Sequence, residues 1–94
     1  MHALTALLLG RAFALANTPG LSPPSAALEL CQLAGGDRRV LLGARSRCDE
    51  LVREDPPSGE RCKAYALLHT ALAAFDTGCT AAALDLSGSV DACR

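Results

Sequence analysis

Cysteines are the residues best able to do chemistry in this chain of 94 residues. The sequence contains five of them, a density typical of short proteins in oxidising compartments, where thiols are joined into disulfides. It contains no CxxC pair and no Cys/His pair at zinc-finger spacing. We therefore predict disulfides rather than a metal site, and no cofactor. The disulfide candidates are Cys48, Cys62, Cys31 and Cys79.

One disulfide is favoured by the geometry of a helical hairpin. Cys48 and Cys62 each lie about seven residues from the proline-containing turn between two predicted helices, so they reach the same height on antiparallel helices. We predict a Cys48–Cys62 bond. A second bond would join Cys79 to Cys31 or to Cys93. An odd number of cysteines leaves one thiol over, and Cys93 is the candidate for the unpaired residue.

The cysteine spacing also indicates an internal repeat. Successive cysteines are 17, 14, 17 and 14 residues apart, an alternation with a period of 31. One alternative is therefore that the chain is a fragment of a longer cysteine-rich helical repeat array with a structural role. A second alternative is a reduced intracellular helical protein in which the cysteines are small buried apolar residues.

The first 16 residues resemble a signal peptide. Ala3–Leu9 is an apolar run, and Ala14–Ala16 fits the small-x-small pattern that precedes signal cleavage. We predict a signal peptide over residues 1–16, removed before Asn17. Arg11 interrupts the apolar segment, and the rival interpretations are an organelle transit peptide and an ordinary first helix.

Two further segments complete the predicted organisation. Residues 17–24 contain three prolines and a glycine and are predicted to be a linker, and residues 25–94 are predicted to be the helical cysteine-bearing domain. No transmembrane span is predicted, because about 20 apolar residues are needed and Arg11 and Pro19 interrupt the first candidate. The other apolar stretch, Ala64–Phe75, is too short.

The apolar composition predicts an all-α protein. Alanine and leucine, with 18 and 17 residues, dominate, whereas there are only three valines and no isoleucine. Alanine and leucine favour helices, and strands favour the β-branched and aromatic residues that this chain almost lacks. We predict a small bundle of about four helices in antiparallel hairpins: Ala26–Ala34, Arg38–Glu54, Gly59–Asp76 and a short helix at about Cys79–Leu86.

The two longest predicted helices differ in their apolar patterns. Asp37 is predicted to cap Arg38–Glu54, which has one apolar stripe and a charged remainder. Gly59–Asp76 is apolar on two opposite faces and is predicted to be the core helix. A homodimer, in which this helix buries its second apolar face between the two subunits, is therefore one alternative. The apolar stripe of Arg38–Glu54 consists of Val40, Leu41, Ala44, Cys48, Leu51 and Val52.

Charge and titratable residues provide little support for nucleic-acid binding or catalysis. The net charge is −1 and the chain has three aromatic residues, so it offers neither a basic surface nor a stacking platform for bases. His69 and Asp76 lie near one face of the predicted core helix, but no nucleophile motif accompanies them. We predict no catalytic residue and interpret His69 as a partly buried imidazole.

Together these features predict a small secreted helical binding or interaction module, stapled by disulfides. Its partner would be a protein of unknown identity, and its location the secretory pathway or the extracellular space. An organelle and the cytoplasm are the alternative locations. An enzyme is the least favoured class, because no set of side chains converges on a reacting centre.

Overall fold

The computed structural model describes residues 3–54 and 59–80. Within these residues the chain forms four helices and no strand: α1 (Ala3–Ala16), α2 (Pro23–Leu33), α3 (Arg38–Glu54) and α4 (Gly59–Phe75). The all-α prediction is confirmed. The predicted helix at Cys79–Leu86 falls almost entirely outside the described residues, as do residues 55–58 and the last residues of the chain.

The segment predicted to be a signal peptide forms α1 and packs within the bundle. Leu8 and Ala12 are fully buried, and Leu15 is nearly so. The end of α1 is capped by side chains, since the Asn17 amide donates to the Phe13 carbonyl and the Thr18 hydroxyl donates to the Ala14 carbonyl. Removal of residues 1–16 before Asn17 stays a prediction.

Helix α2 begins two residues inside the predicted linker, at Pro23 rather than after Ser25. Proline has the φ angle of a helix and lacks only an N–H that the first turn leaves unpaired, so it fits the first helical positions. Ser22 precedes the helix in an extended conformation, and its carbonyl accepts a hydrogen bond from Ala26 N–H at 3.0 Å. Pro23 and Pro24 therefore start this helix, and the prediction that they belong to a linker is wrong.

The connection from α2 to α3 follows the prediction. Gly35 and Gly36 both have positive φ angles, 63° and 86°, which end α2 in a tight turn. Asp37 Oδ1 then accepts a hydrogen bond from Arg39 N–H at 3.0 Å and caps α3. The two glycines and the aspartate thus end one helix and start the next.

Helix α4 is the central helix of the bundle, as predicted from its two apolar faces. It contacts α1, α2 and α3. Helices α3 and α4 run antiparallel, because contacts between them pair early residues of one with late residues of the other, as in Arg38 with Asp76 and Leu51 with Arg61. The fully buried larger side chains that form the centre of the core are Leu8, Leu30, Leu41, Leu68, Cys31 and Cys48.

Candidate functional site

A disulfide joins α2 to the segment that follows α4. Cys31 and Cys79 are bonded across a sequence separation of 48 residues, with their Cα atoms 5.6 Å apart. Cys31 lies in the last turns of α2 and is fully buried. The sequence left Cys31 and Cys93 open as partners of Cys79, and in the structure Cys79 is bonded to Cys31.

The end of α4 positions Cys79 for this bond. The Cys79 and Gly78 amides donate to the carbonyls of Ala74 and Phe75, each at 3.0 Å, which is the hydrogen-bond pattern of a Schellman motif. Gly78 has the positive φ that this motif requires, and Cys79 itself has a φ of 60°. The chain therefore turns sharply at the end of α4, and Cys79 faces α2.

The predicted Cys48–Cys62 bond is wrong for this structure. Cys48 is a free, fully buried thiol, and Cys62 is itself disulfide-bonded. The predicted position of Cys48 along the α3–α4 hairpin was nearly correct, since Cys48 Sγ lies 3.9 Å from the carbonyl oxygen of Arg61, the residue before Cys62. The pairing fails because Cys48 points into the core, whereas Cys62 is only half-buried. Cys93, the predicted unpaired residue, lies outside the described residues.

The environment of Cys48 makes it an unreactive thiol. Burial raises the pKa of Cys48 from 9.0 to about 11, and the neighbouring Asp49 carboxylate acts in the same direction, whereas Arg61 lowers the pKa. Since the thiolate is the nucleophile, this residue is unsuited to catalysis at neutral pH. Its structural role is that of a small apolar residue with one weak hydrogen bond.

The 31-residue spacing does not relate equivalent structural positions in the described residues. Cys48 lies in the middle of α3, whereas Cys79, 31 residues later, lies in the turn after α4. Ser46 and Thr77, which are also 31 residues apart, likewise lie in α3 and in the turn after α4. The alternation of cysteine spacings is therefore not accompanied by a structural repeat there.

The surface between α3 and α4 contains the titratable residues considered for catalysis. His69 is exposed, so the prediction of a partly buried imidazole is wrong. Its Nδ1 lies 3.3 Å from the Arg45 guanidinium, and its ring stacks on Tyr65 at a centroid distance of 6.3 Å. Asp76 instead faces Arg38, with 4.0 Å between Oδ1 and Nε. These contacts do not form an acid–base pair.

An apolar pocket lies where the end of α1 meets α2 and α4. Its cavity volume is about 70 Å³, and Leu15, Leu21, Leu67 and Lys63 contribute to its lining. Sites for drug-sized ligands enclose roughly 300–1,000 Å³, and a single water occupies about 30 Å³. The pocket is therefore a packing gap that would hold only a few atoms.

Metal binding and membrane insertion receive no support from the described part of the chain. Residues 3–54 and 59–80 contain no group of three or more His, Cys, Asp or Glu side chains placed to hold a metal ion. None of the helices in these ranges has both the length and the apolar character needed to cross a membrane.

Comparisons with protein-family models, with curated proteins and with solved structures found no match to this chain.

Proposed function

We propose that this chain is a small exported binding module, in which a disulfide-stapled helical frame presents a surface to a protein partner and performs no catalysis. The observation that carries the proposal is the Cys31–Cys79 disulfide. Structural disulfides persist in oxidising compartments and are rare in the cytosol, so this bond favours export over the reduced intracellular alternative.

The cross-link also has the stabilising role that a small exported domain needs. A chain of this size buries a limited core, and bonds that close long loops restrict the unfolded chain most. The Cys31–Cys79 bond ties the end of α2 to the end of α4, the helix at the centre of the bundle. A frame held in this way can present a fixed surface to a partner. No described feature favours the repeat-array alternative.

Export requires a leader, and residues 1–16 supply the proposed one. Ala14 provides a direct test because it belongs to the small-x-small pattern and its side chain is exposed in the folded bundle. We expect Ala14→Arg to block cleavage without disturbing the fold, so that the secreted or retained protein keeps residues 1–16. Ala14→Ser, which preserves a small residue, is the matched control.

The measurement is the intact mass of each variant expressed in cells that process signal peptides. The proposal expects wild type and Ala14→Ser to begin at Asn17 and to appear in the medium, and Ala14→Arg to begin at Met1. Identical uncleaved masses for all three proteins, found only inside the cells, would refute export.

A further inference from the structure

We propose that the groove between α3 and α4 at Arg45 and His69 is a docking site for an acidic side chain, aspartate or glutamate, of the protein partner. This inference rests on the proposed function, because it names the chemistry by which that partner is recognised. It does not depend on removal of residues 1–16, because no described residue of α1 lines the groove. The lining consists of Arg38, Arg45, His69, Leu72, Ala73 and Asp76.

The antiparallel register of α3 and α4 places two pairs of side chains across the groove. Arg38 of α3 faces Asp76 of α4, with 4.0 Å between Nε and Oδ1. Seven residues later in α3 and seven earlier in α4, which is two helical turns, Arg45 faces His69 with 3.3 Å between Nη1 and Nδ1. The imidazole therefore lies beside Arg45 where a carboxylate lies beside Arg38.

The half-buried Arg45 has no anionic partner in the described part of the chain, and its polar contact is with His69. A guanidinium has five N–H donors and binds most strongly to a carboxylate that accepts two of them, whereas His69 Nδ1 accepts one. Arg45 therefore retains donors for an oxyanion. Other arginines of residues 3–54 each pair with a carboxylate, namely Arg11, Arg38, Arg39, Arg47 and Arg53.

The contact with Arg45 also determines the tautomer of His69. Arginine stays protonated and can only donate, so Nδ1 is the acceptor and the neutral ring carries its proton on Nε2. The ring is exposed and stacks on Tyr65 with 16° between the two ring planes. Because Arg45 and His69 both line the groove, a carboxylate there can accept hydrogen bonds from both helices.

The size and lining of the groove suit one side chain of a protein. Its volume is about 180 Å³. This is roughly six water volumes, and sites for drug-sized ligands enclose roughly 300–1,000 Å³. Leu72 and Ala73 add apolar surface that can contact the methylene groups of an acidic side chain. Arginine and tyrosine are also enriched in protein–protein interfaces, and Tyr65 lies half-buried beside His69.

Asp76 favours a carboxylate over a phosphate group as the occupant. It pairs with Arg38, so the groove offers one unpaired positive charge, that of Arg45. A carboxylate carries the single negative charge that matches it, whereas a phosphate group with up to two charges would also be repelled by Asp76.

An NMR titration of the full chain with its disulfides intact tests the groove. The probe is a capped tripeptide with glutamate between two leucines, and the control tripeptide has glutamine in place of glutamate. We expect the glutamate peptide to shift the Arg45 Nε–H and His69 ring signals saturably, and the glutamine peptide to leave them unchanged. In the free protein, the His69 proton should be found on Nε2.

Two arginine variants provide the matched comparison. Arg45→Gln and Arg53→Gln remove the same charge from α3, but Arg53 already pairs with Asp49 at 3.1 Å. Arg45→Gln should weaken binding of the glutamate peptide at least about tenfold, and Arg53→Gln less than about twofold. Asp76→Asn frees Arg38 and should tighten binding up to about threefold.

A more conservative variant keeps the test usable if Arg45→Gln does not fold. Arg45→Lys retains the charge but loses the planar fork of donors, so it should weaken binding of the glutamate peptide by about threefold or more. Unchanged binding by Arg45→Lys and by Arg45→Gln would each count against the groove.

Several results would overturn the groove. They are equal responses to the glutamate and glutamine peptides, equal losses in Arg45→Gln and Arg53→Gln, a His69 proton on Nδ1, and displacement of the peptide by inorganic phosphate at a much lower concentration. A native N-terminus at Met1 would refute export while leaving the binding results unchanged. Failure to bind the glutamate peptide, in a protein that begins at Asn17, would refute the groove and leave export intact.

Discussion

The Cys48 thiol lies at the centre of the bundle, where burial keeps it protonated. Its side chain is fully buried, and its one polar contact within the described residues is the weak hydrogen bond to the Arg61 carbonyl. Because the folded protein binds the thiol proton more tightly than the unfolded chain does, this residue links folding to pH.

We predict that stability falls between pH 9 and 11 because of Cys48. Its pKa is about 11 in the folded protein, against 9.0 as the ordinary value. The stabilising contribution is therefore complete below pH 9 and is lost as the pH rises through the folded pKa, with a total of at most about 3 kcal/mol. Urea unfolding of wild type and Cys48→Ala across this range measures it. Parallel pH profiles for the two proteins would contradict the prediction.

A second prediction at residue scale compares two helical glycines. In the full chain with residues 1–16 retained, a Cβ atom at Gly10 meets nothing within 4 Å, so Gly10→Ala should raise the free energy of unfolding by about 1 kcal/mol through helix propensity. Gly43→Ala gains the same propensity but brings a methyl group against Thr5. We expect it to be less stable than Gly10→Ala by about 1 kcal/mol or more.

The double variant Gly43→Ala/Thr5→Ala serves as the control for this steric interpretation. Removing the Thr5 side-chain atoms should recover the difference if the contact between α1 and α3 is its cause. Equal stabilities for Gly10→Ala and Gly43→Ala in thermal unfolding would show that α1 does not pack against Gly43.

For Cys48, the sequence correctly predicted the position along the helical hairpin but wrongly predicted a disulfide. Equal distances from the turn correctly placed it beside the start of α4, within one residue of Cys62. Whether two sulfurs meet depends on the direction of each Cβ, which height alone does not determine. The left-handed turn at Gly78 and Cys79, which brings Cys79 to Cys31, has only the glycine as a signal in the sequence.

At the scale of elements, the disulfide connects helices that the apolar core already holds together. Cys31 and Cys79 close a loop that contains all of α3 and α4. Chain-entropy arguments give such a loop a stabilising effect of about 4 kcal/mol. The bond therefore contributes a large share of the 5–15 kcal/mol that keeps a typical domain folded.

We predict that Cys31→Ala/Cys79→Ala lowers the free energy of unfolding by about 4 kcal/mol. Both substitutions are made in a Cys48→Ala background, which removes the buried thiol and prevents exchange with it, and the background protein is the control. Denaturant unfolding without reductant measures the difference. A loss below about 1 kcal/mol would mean that the core alone holds α2 against α4.

Helix boundaries were predictable where capping residues are strong. Asp37 and the two glycines before it set the α2–α3 connection as expected. The apolar stripe predicted for α3 is buried apart from Leu51, which is half-buried. The start of α2 was missed because proline both breaks helices and begins them, and only the following residues decide which role it has. The packing of α1 was missed because a leader and a core helix share the same apolar composition.

At the scale of the whole molecule, the fold class follows from composition, whereas the surface does not. Alanine and leucine determine a helical bundle, and a helix apolar on two sides becomes its centre. The exposed position of His69 was missed because it shares a helical face with Ala66 and Ala73. Alanine is small enough to lie on either the buried or the exposed side of a helix, so these neighbours do not indicate burial. In α4, Ala66 is buried and Ala73 is exposed.

We propose that this chain is exported, loses residues 1–16 and functions with the Cys31–Cys79 bond intact. Peptide mapping of the protein from its natural source, unfolded and alkylated without reductant, tests all three points. We expect an N-terminus at Asn17, a linked peptide pair containing Cys31 and Cys79, and an alkylated Cys48. An N-terminus at Met1 together with alkylation of Cys31 and Cys79 would contradict it.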